Sequence, residues 1–494
     1  MKAAKTRREK GFAIVLTTLA LTSTLLIAGL GFDVGTLYLI RTKLQGAMDA
    51  AALATVRALA QNPNTAAAQT VGSEFLTANF PNGYWGAQPM ASLPVANAIT
   101  ISEIDKNGNA GTPGTTATAK LVTVTAGVTA PLYFLRILGQ QTANISFTAQ
   151  ATRQGVLLML VLDGSGSMQN QINGTASCVW AKNDAQAFLG YSQFDPDIDR
   201  IGLVTFGGNT YTVAPIANFQ SPAGTINNAS TVYTALNSFN CNGNTNTVEG
   251  LQQAYSAIRT FWGATQPSRA NVVILMTDGA PNGFSADWST QIKAGSNCDK
   301  PAGGPLIGYV ARETPHIEGI FSIAPNANAA MNGTAVIGHG GGACAMDGNH
   351  PLIWNQDFTA VPPTDAYGDK MYGIGSYLPG TSSQVAVVDA TPNDPAEAQF
   401  VALSKNAADG AGTRLRTDST LRITIYSLGL SGNVALHPYD DLDPVLLQRI
   451  ANVPASTSYD PTQPVGGYVN APDASQLAAK FAQIASAIVS RLSQ

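Results

Sequence analysis

The sequence predicts an α/β protein. Its main body is a doubly wound, mostly parallel sheet with a large insertion, preceded by a transmembrane helix that continues as a stalk and by a small α+β domain. Three observations predict this. Uninterrupted apolar runs, VLLMLVL (156–162), RIGLVTF (200–206), NVVILMT (271–277) and LRITIYSLGL (421–430), alternate with helical stretches, the pattern of parallel strands covered on both faces. A charge-free run of 21 residues, 12–32, follows a basic tail. Between these regions, residues 80–152 alternate apolar and polar positions and are broken by PNG and KNGNAGTPG turns.

Taken in order, the tail MKAAKTRREK (1–11 with Gly11) carries Lys2, Lys5, Arg7, Arg8 and Lys10. The following apolar run, FAIVLTTLALTSTLLIAGLGF, spans roughly 30 Å as a helix, enough for the hydrocarbon core of a bilayer. A cleaved secretory signal also begins with basic residues, but this run is long for one and has no small-x-small site followed by a turn. By the positive-inside rule the tail is then cytoplasmic and everything after residue 32 lies outside. The helical pattern continues: Leu37, Leu44, Met48, Ala51, Thr55 and Leu59 form a stripe, with Arg41, Lys43, Asp49 and Arg57 off it. The expectation is one helix over 12–62, stopped by QNPN, whose alanine-rich face meets another helix or its own domain.

Residues 63–152 read as the small α+β domain. AKLVTVTAGV and ISFTAQAT are its strands, and APLYFLRILG is a short helix packed on the sheet. Residues 153–494 hold the α/β domain, with helices over AKNDAQAFLGYSQ, TVEGLQQAYSAIRTFW, PAEAQFVALSKNAADG and DASQLAAKFAQIASAIVSRL. About 110 residues rich in Gly, Pro and Asn, near 284–393, are too long for a loop and read as an inserted subdomain.

Composition narrows the function classes. Charged residues are 12% of 494, so solubility rests on neutral polar groups. The net charge of −4 conceals an asymmetry: five of the 27 basic residues and one of the 31 acidic ones lie in the first ten positions, which leaves 22 against 30, a balance of −8. An acidic body lacks the basic patches that nucleic acid requires. The four cysteines, Cys178, Cys241, Cys298 and Cys344, suit two disulfides in an oxidising compartment. Sequence proximity favours Cys178 with Cys241 and Cys298 with Cys344.

The strand at 156–162 ends in D-x-S-x-S: Asp163, Ser165 and Ser167. Ligands of open parallel sheets bind at the carboxyl ends of strands, and alternate side chains on a turn there bring oxygens to one point. Such a set suits a hard divalent cation. Thr245 in NGNTNTVEGL and Asp278 in ILMTDGAPN lie in loops on the same face. Capping of a following helix is the alternative for an isolated D-x-S.

Residues 156–494 resemble a von Willebrand factor type A domain with a metal-ion-dependent adhesion site, through D-G-S-G-S-M at 163–168, the loop at 243–247, T-D-G at 277–279 and the terminal helix. The resemblance implies that Asp163, Ser165, Ser167, Thr245 and Asp278 bind a metal, Mg²⁺ or alternatively Mn²⁺ or Ca²⁺. It also implies a protein partner that offers a carboxylate, with no bond made or broken. Asn244 stands where the family often has a second glycine, which leaves Thr247 as an alternative to Thr245.

Residues 9–60, and above all GxxxDVGxLYxxRxxLQxAxDAAALA from Gly29, are similar to TadE/TadG-like proteins of the Flp (tight-adherence) pilus assembly system. Leu16 stands five residues after Gly11, where processed pseudopilins of that system carry glutamate, so the membrane helix is expected to be retained. The combined expectation is a non-enzymatic, single-pass protein of the bacterial inner membrane. Its body would be periplasmic or at the cell surface, among other pilus assembly proteins. A periplasmic scaffold with no adhesive role is the alternative. A hydrolase reading rests on His339-Gly340-Gly341-Gly342, but the chain has no G-x-S-x-G elbow. His316, His350 and His437 read as surface residues, and the acidic turns DPDIDR and YDDLDP as solvated loops.

Overall fold

The computed structural model describes residues 3–90, 92, 98–208, 210–265, 269–291, 307–312, 317–321, 323–325, 361–371, 395–431 and 441–492. Along the chain, α1 (Ala3–Gln61) and α2 (Thr65–Asn79) precede β1 (Gln88–Pro89), β2 (Ile99–Ile104), β3 (Ala119–Pro131) and β4 (Thr142–Asp163). Next come β5 (Gln171–Ile172), β6 (Thr175–Ala176), α3 (Ser177–Leu189), β7 (Arg200–Phe206), β8 (Thr210–Ala217), α4 (Thr231–Asn237), α5 (Thr247–Thr265) and β9 (Arg269–Thr277). The insertion contributes β10 (Gly283–Asp287), β11 (Ile307–Arg312), β12 (Ile317–Phe321) and β13 (Ala324–Pro325). Last are α6 (Pro395–Thr417), β14 (Thr424–Leu430), α7 (Pro444–Ile450), β15 (Gly467–Ala471) and α8 (Leu477–Leu492). The chain forms two compact units: residues up to Ile104 with Ala119–Arg153, and Asp105–Thr118 with Gln154–Leu492.

In the first unit α1 continues without a break through the apolar run. Leu44, Met48, Ala51, Thr55 and Leu59 of the expected stripe are buried, while Arg41, Lys43, Asp49 and Arg57 are exposed. The stripe shares a core with Val122, Val124, Ala126 and Val128, alternate residues of β3, as the period-two geometry of a half-buried strand requires. QNPN ends α1 and starts the next helix, because the Asn64 side chain accepts the Ala67 N–H at 3.0 Å as the N-cap of α2. The short helix expected in APLYFLRILG is a single 3₁₀ turn, Leu135–Leu138. Gly139, at φ 90°, closes it after one turn, and Ile137 and Leu138 are exposed instead of packing on the sheet.

In the second unit the strand order is β13-β8-β7-β4-β9-β14-β15. All neighbours are parallel except β7 with β8. Residues of β4 alternate between two cores. Leu157, Met159 and Val161 pack with Leu251 and Ile258 of α5, Leu403 and Ala407 of α6, and Ile450 of α7. Leu158, Leu160 and Leu162 pack with Phe188 of α3, Leu236 of α4, and Phe481 and Ile484 of α8. Coverage on both faces explains why these strands read as continuous apolar runs.

Besides β13, the described part of the insertion comprises an antiparallel sheet, β10-β11-β12, and the segment 361–371. Phe284 of β10 stacks on Phe400 of α6 at 5.1 Å between ring centroids, and Trp288 is fully buried in the same core. Cys178 at the start of α3 is bonded to Cys241. Cys298, Cys344, His316, His339, His350 and His437 lie outside the described residues.

The Cys178–Cys241 bond closes a loop with a sequence separation of 63. A Cys178→Ser/Cys241→Ser chain should lose up to about 4 kcal/mol in chemical denaturation, from the freed loop entropy of its unfolded state. A pH effect arises at Asp365, which is buried and accepts the N–H groups of Tyr367 (2.9 Å) and Asp369 (2.8 Å). Burial first, and the Asp369 charge second, push its carboxyl up to about 7. The native chain thus holds a proton that the unfolded chain releases near pH 4. This group's contribution to stability should fall as pH rises from about 4 to about 7, and Asp365→Asn should flatten that part of a pH-denaturation curve.

Candidate functional site

Strands β4 and β9 are adjacent and parallel, with Leu162 opposite Met276. Asp163 and Asp278 therefore leave the sheet side by side at its carboxyl edge. Asp163 is fully buried. Its Oδ1 accepts the Ser165 N–H at 2.8 Å and its Oδ2 accepts the Thr277 hydroxyl at 2.5 Å. The Ser165 and Ser167 hydroxyls share a hydrogen bond of 3.0 Å, and Ser167 Oγ donates to Asp278 Oδ1 at 2.6 Å. One continuous chain of polar contacts thus links four of the five residues singled out in the sequence.

The fifth, Thr245, enters through its backbone. Gly166 N–H donates to Gly243 O at 2.7 Å, and Asn242 N–H to Gly164 O at 2.6 Å, so the 164–166 turn and the 240–245 loop meet backbone to backbone. A methyl group on Gly166 would lie 3.2 Å from Gly243 O, which accounts for glycine between the two serines. On its other side, Thr245 N–H donates to Asn282 Oδ1 at 2.8 Å and Asn282 N–H returns a bond to Thr245 O at 3.1 Å. The Thr247 hydroxyl is buried at the start of α5 with no hydrogen-bond partner, so both threonines remain candidates.

Burial, first, and the charge of Asp278, second, push the Asp163 carboxyl well above the usual carboxylate range, while hydrogen bonds from Thr277 and Ser165 pull it down. The residues present fit a hard divalent cation: the donors are all oxygen, two are anionic, and a cation would relieve the repulsion between the acids. Among the described residues no three His, Cys, Asp or Glu side chains gather as a metal-binding group. A cation here would rest on hydroxyls as much as on carboxylates.

Three residues outside the sequence-derived set organise the site. Thr277 was legible as the strand-end hydroxyl before Asp278, and Asn282 lies in the APNG turn. Asn246, fully buried, donates to Gly208 O at 3.0 Å and accepts the Glu249 N–H at 3.2 Å. The insertion borders these loops, since Arg312 N–H of β11 donates to Asn282 O at 2.8 Å. Its 361–371 segment reaches the first turn of α5, where Tyr367 donates to Glu249 Oε2 at 2.5 Å.

Replacing Thr277 by Val would leave Asp163 Oδ2 without its hydroxyl donor in a buried place. Thr277→Val should cost about 1–3 kcal/mol in chemical denaturation, whereas Thr277→Ser should stay close to the parent.

Residues 158–280 match the family model of the von Willebrand factor type A domain, and residues 11–58 match that of Flp pilus-assembly TadE/G-like proteins. No curated protein matches the chain. Among solved structures, the pilus adhesin SpaC of Lactobacillus rhamnosus GG in its open conformation is similar at 16% identity and TM-score 0.37, covering 82% of this chain and 36% of that one. The chain therefore spans about a third of that adhesin's length. The PilB minor pilin of Streptococcus sanguinis gives 15% identity and TM-score 0.37 over 80% of this chain and 79% of that one. The vWF domain of the type V pili tip protein Mfa5 of Porphyromonas gingivalis gives 13% and 0.33 over 68% and 96%. By its family matches, the chain joins a TadE/G-like pilus-assembly segment at its N-terminus to a von Willebrand factor type A domain.

Proposed function

We propose that this pilus-associated protein is a non-enzymatic, membrane-anchored component of the Flp assembly machinery that holds a partner protein through a divalent cation. The observation that carries the reading is the polar chain from Asp163 through Ser165 and Ser167 to Asp278. Asp163, Ser165, Ser167, Thr245 and Asp278 would hold the cation, Mg²⁺ first, with Mn²⁺ or Ca²⁺ as alternatives. When bound, the cation supplies an electrophilic position for an anionic oxygen. Ser165, Ser167 and Thr245 contribute neutral oxygens, so the charge on the cation is not fully quenched and a carboxylate of the partner completes the contact. The insertion, next to Asn282, stands where it would select that partner.

The apolar segment supports the location. The one helix among the described residues that is long and apolar enough to cross a membrane is at the N-terminus. With Lys2, Lys5, Arg7, Arg8 and Lys10 before it, the tail would stay in the cytoplasm of a bacterial cell and the body would face the periplasm or cell surface.

Titration calorimetry of the full chain in detergent with Mg²⁺ and Mn²⁺ tests the site. The parent should bind, and at a hundredfold excess over Kd the ion should add about 2.7 kcal/mol to stability. Asp163→Ala and Ser165→Ala should abolish the binding heat. Normal binding by Asp163→Ala would sink the assignment, and no binding by the parent would leave the domain as a scaffold for envelope proteins.

A further inference from the structure

We propose that the loop 132–140 is a second membrane contact, a wedge that enters the headgroup region of the phospholipid bilayer beside α1. The inference rests on the reading that residues 12–32 cross that bilayer.

Burial along α1 locates the wedge. Every residue from Phe12 to Leu26, and on to Ala28, is exposed, and the first buried position is Gly29, followed by Asp33, Thr36 and Ile40 one or two turns apart. Protein therefore begins to cover the helix inside the apolar run, about 4.5 Å before its end at Phe32. What covers it is the loop. The Phe134 ring lies against Gly29, where an added methyl carbon would come within 2.5 Å of it. Phe32 meets Tyr133 and Phe134 edge-on, each at 5.8 Å.

Asp33 fixes the loop in place. Its Oδ1 accepts the N–H of Tyr133 at 2.9 Å, and its Oδ2 accepts those of Phe134 at 3.0 Å and Leu135 at 2.7 Å. Further N–H groups bond within the loop or its stem: Leu132 to Gln141 O (2.9 Å), Ile137 to Phe134 O (3.1 Å), Gly139 to Arg136 O (3.1 Å) and Gln140 to Leu135 O (3.2 Å). A backbone entering a lipid interface must satisfy its polar groups internally, and this one largely does.

The side chains then face outward. Ile137 is 74% exposed, Leu138 67%, Tyr133 47% and Phe134 41%. An apolar patch of this kind needs a cover. Its continuity with the exposed apolar run of α1 selects lipid as that cover. Tyr and Phe suit the interfacial belt, and Arg136 can extend its charge to lipid phosphates while its stem stays with the apolar face.

The test uses the full chain carrying Cys298→Ser and Cys344→Ser, with the Cys178–Cys241 pair left intact. Single thiols from Ile137→Cys, Leu25→Cys and Ala66→Cys carry an environment-sensitive fluorophore in phosphatidylcholine/phosphatidylglycerol vesicles that contain shallow or deep nitroxide lipids. The expected result is loss of fluorescence at position 25 with deep quenchers, at position 137 with shallow ones, and at neither with position 66. Quenching at 25 but not at 137 overturns the wedge and leaves the span standing. No quenching at 25 removes the span and the wedge together. Cross-linking between two copies through position 137, with no lipid quenching there, would assign the patch to self-association and also overturn the proposal.

Discussion

Two carboxylates buried at the ends of neighbouring parallel strands set the terms for the loops of the von Willebrand-type domain. Strand register places Asp163 and Asp278 together, and their mutual repulsion must be borne by whatever holds them. Both cores contribute to that support. Leu158, Leu160 and Leu162 on one face, and Leu157, Met159 and Val161 on the other, are fully buried, so the strand carrying Asp163 cannot shift to separate the charges without opening a packed layer. The relief available is local: a hydroxyl from Thr277, an amide from Ser165, and a proton or a cation.

The loops around this pair are organised by neutral side chains. Asn282 brackets Thr245 with two bonds, and Asn246 ties α5 to Gly208. Farther off, Gln220 donates to Leu189 O and Tyr191 O and accepts the Gly224 N–H. This is where the low charge content has a consequence. Amides and hydroxyls fix loop geometry without adding a cation of the protein's own, so the field of the two acids is not cancelled by the residues that position them. Lysine or arginine in the same roles would have cancelled it.

Much of this was legible because it is periodic or covalently close. The four buried strands read directly as apolar runs, and the α1 stripe at Leu44, Met48 and Leu59 as a helical face. Asp163, Ser165 and Ser167 are neighbours on one turn. The α4 helix was missed since seven residues show too little of a 3.6-residue period, and β8 since TYTVAPIA, with Pro215, pairs antiparallel with β7 and is flanked on its other side by only the two-residue β13. The APLYFLRILG segment was misread because its apolar residues imply a core, whereas Asp33, a hundred positions earlier, holds the loop by its backbone. No local pattern announces such a contact. Asn282 escaped for the same reason: its partner, Thr245, is close only after folding.

The same side chain serves opposite ends in this chain, and the hydrogen bonds tell which. Asp33 and Asp163 are equally buried, at 1% and 0% exposure. Asp33 receives three backbone N–H groups, a closed arrangement that spends its charge on holding a loop. Asp199 is similar: its two oxygens accept Val156 N–H at 2.9 Å and Asp195 N–H at 2.7 Å, which fastens the start of the buried β4 segment. Asp163 receives the Ser165 N–H and the hydroxyls of Thr277 and Ser165, and it faces another carboxylate. A buried anion with its lone pairs filled by amides is structure. One set against a like charge keeps a repulsion that the hydrogen bonds from Thr277 and Ser165 only partly offset, and that distinguishes Asp163 from Asp33 and Asp199.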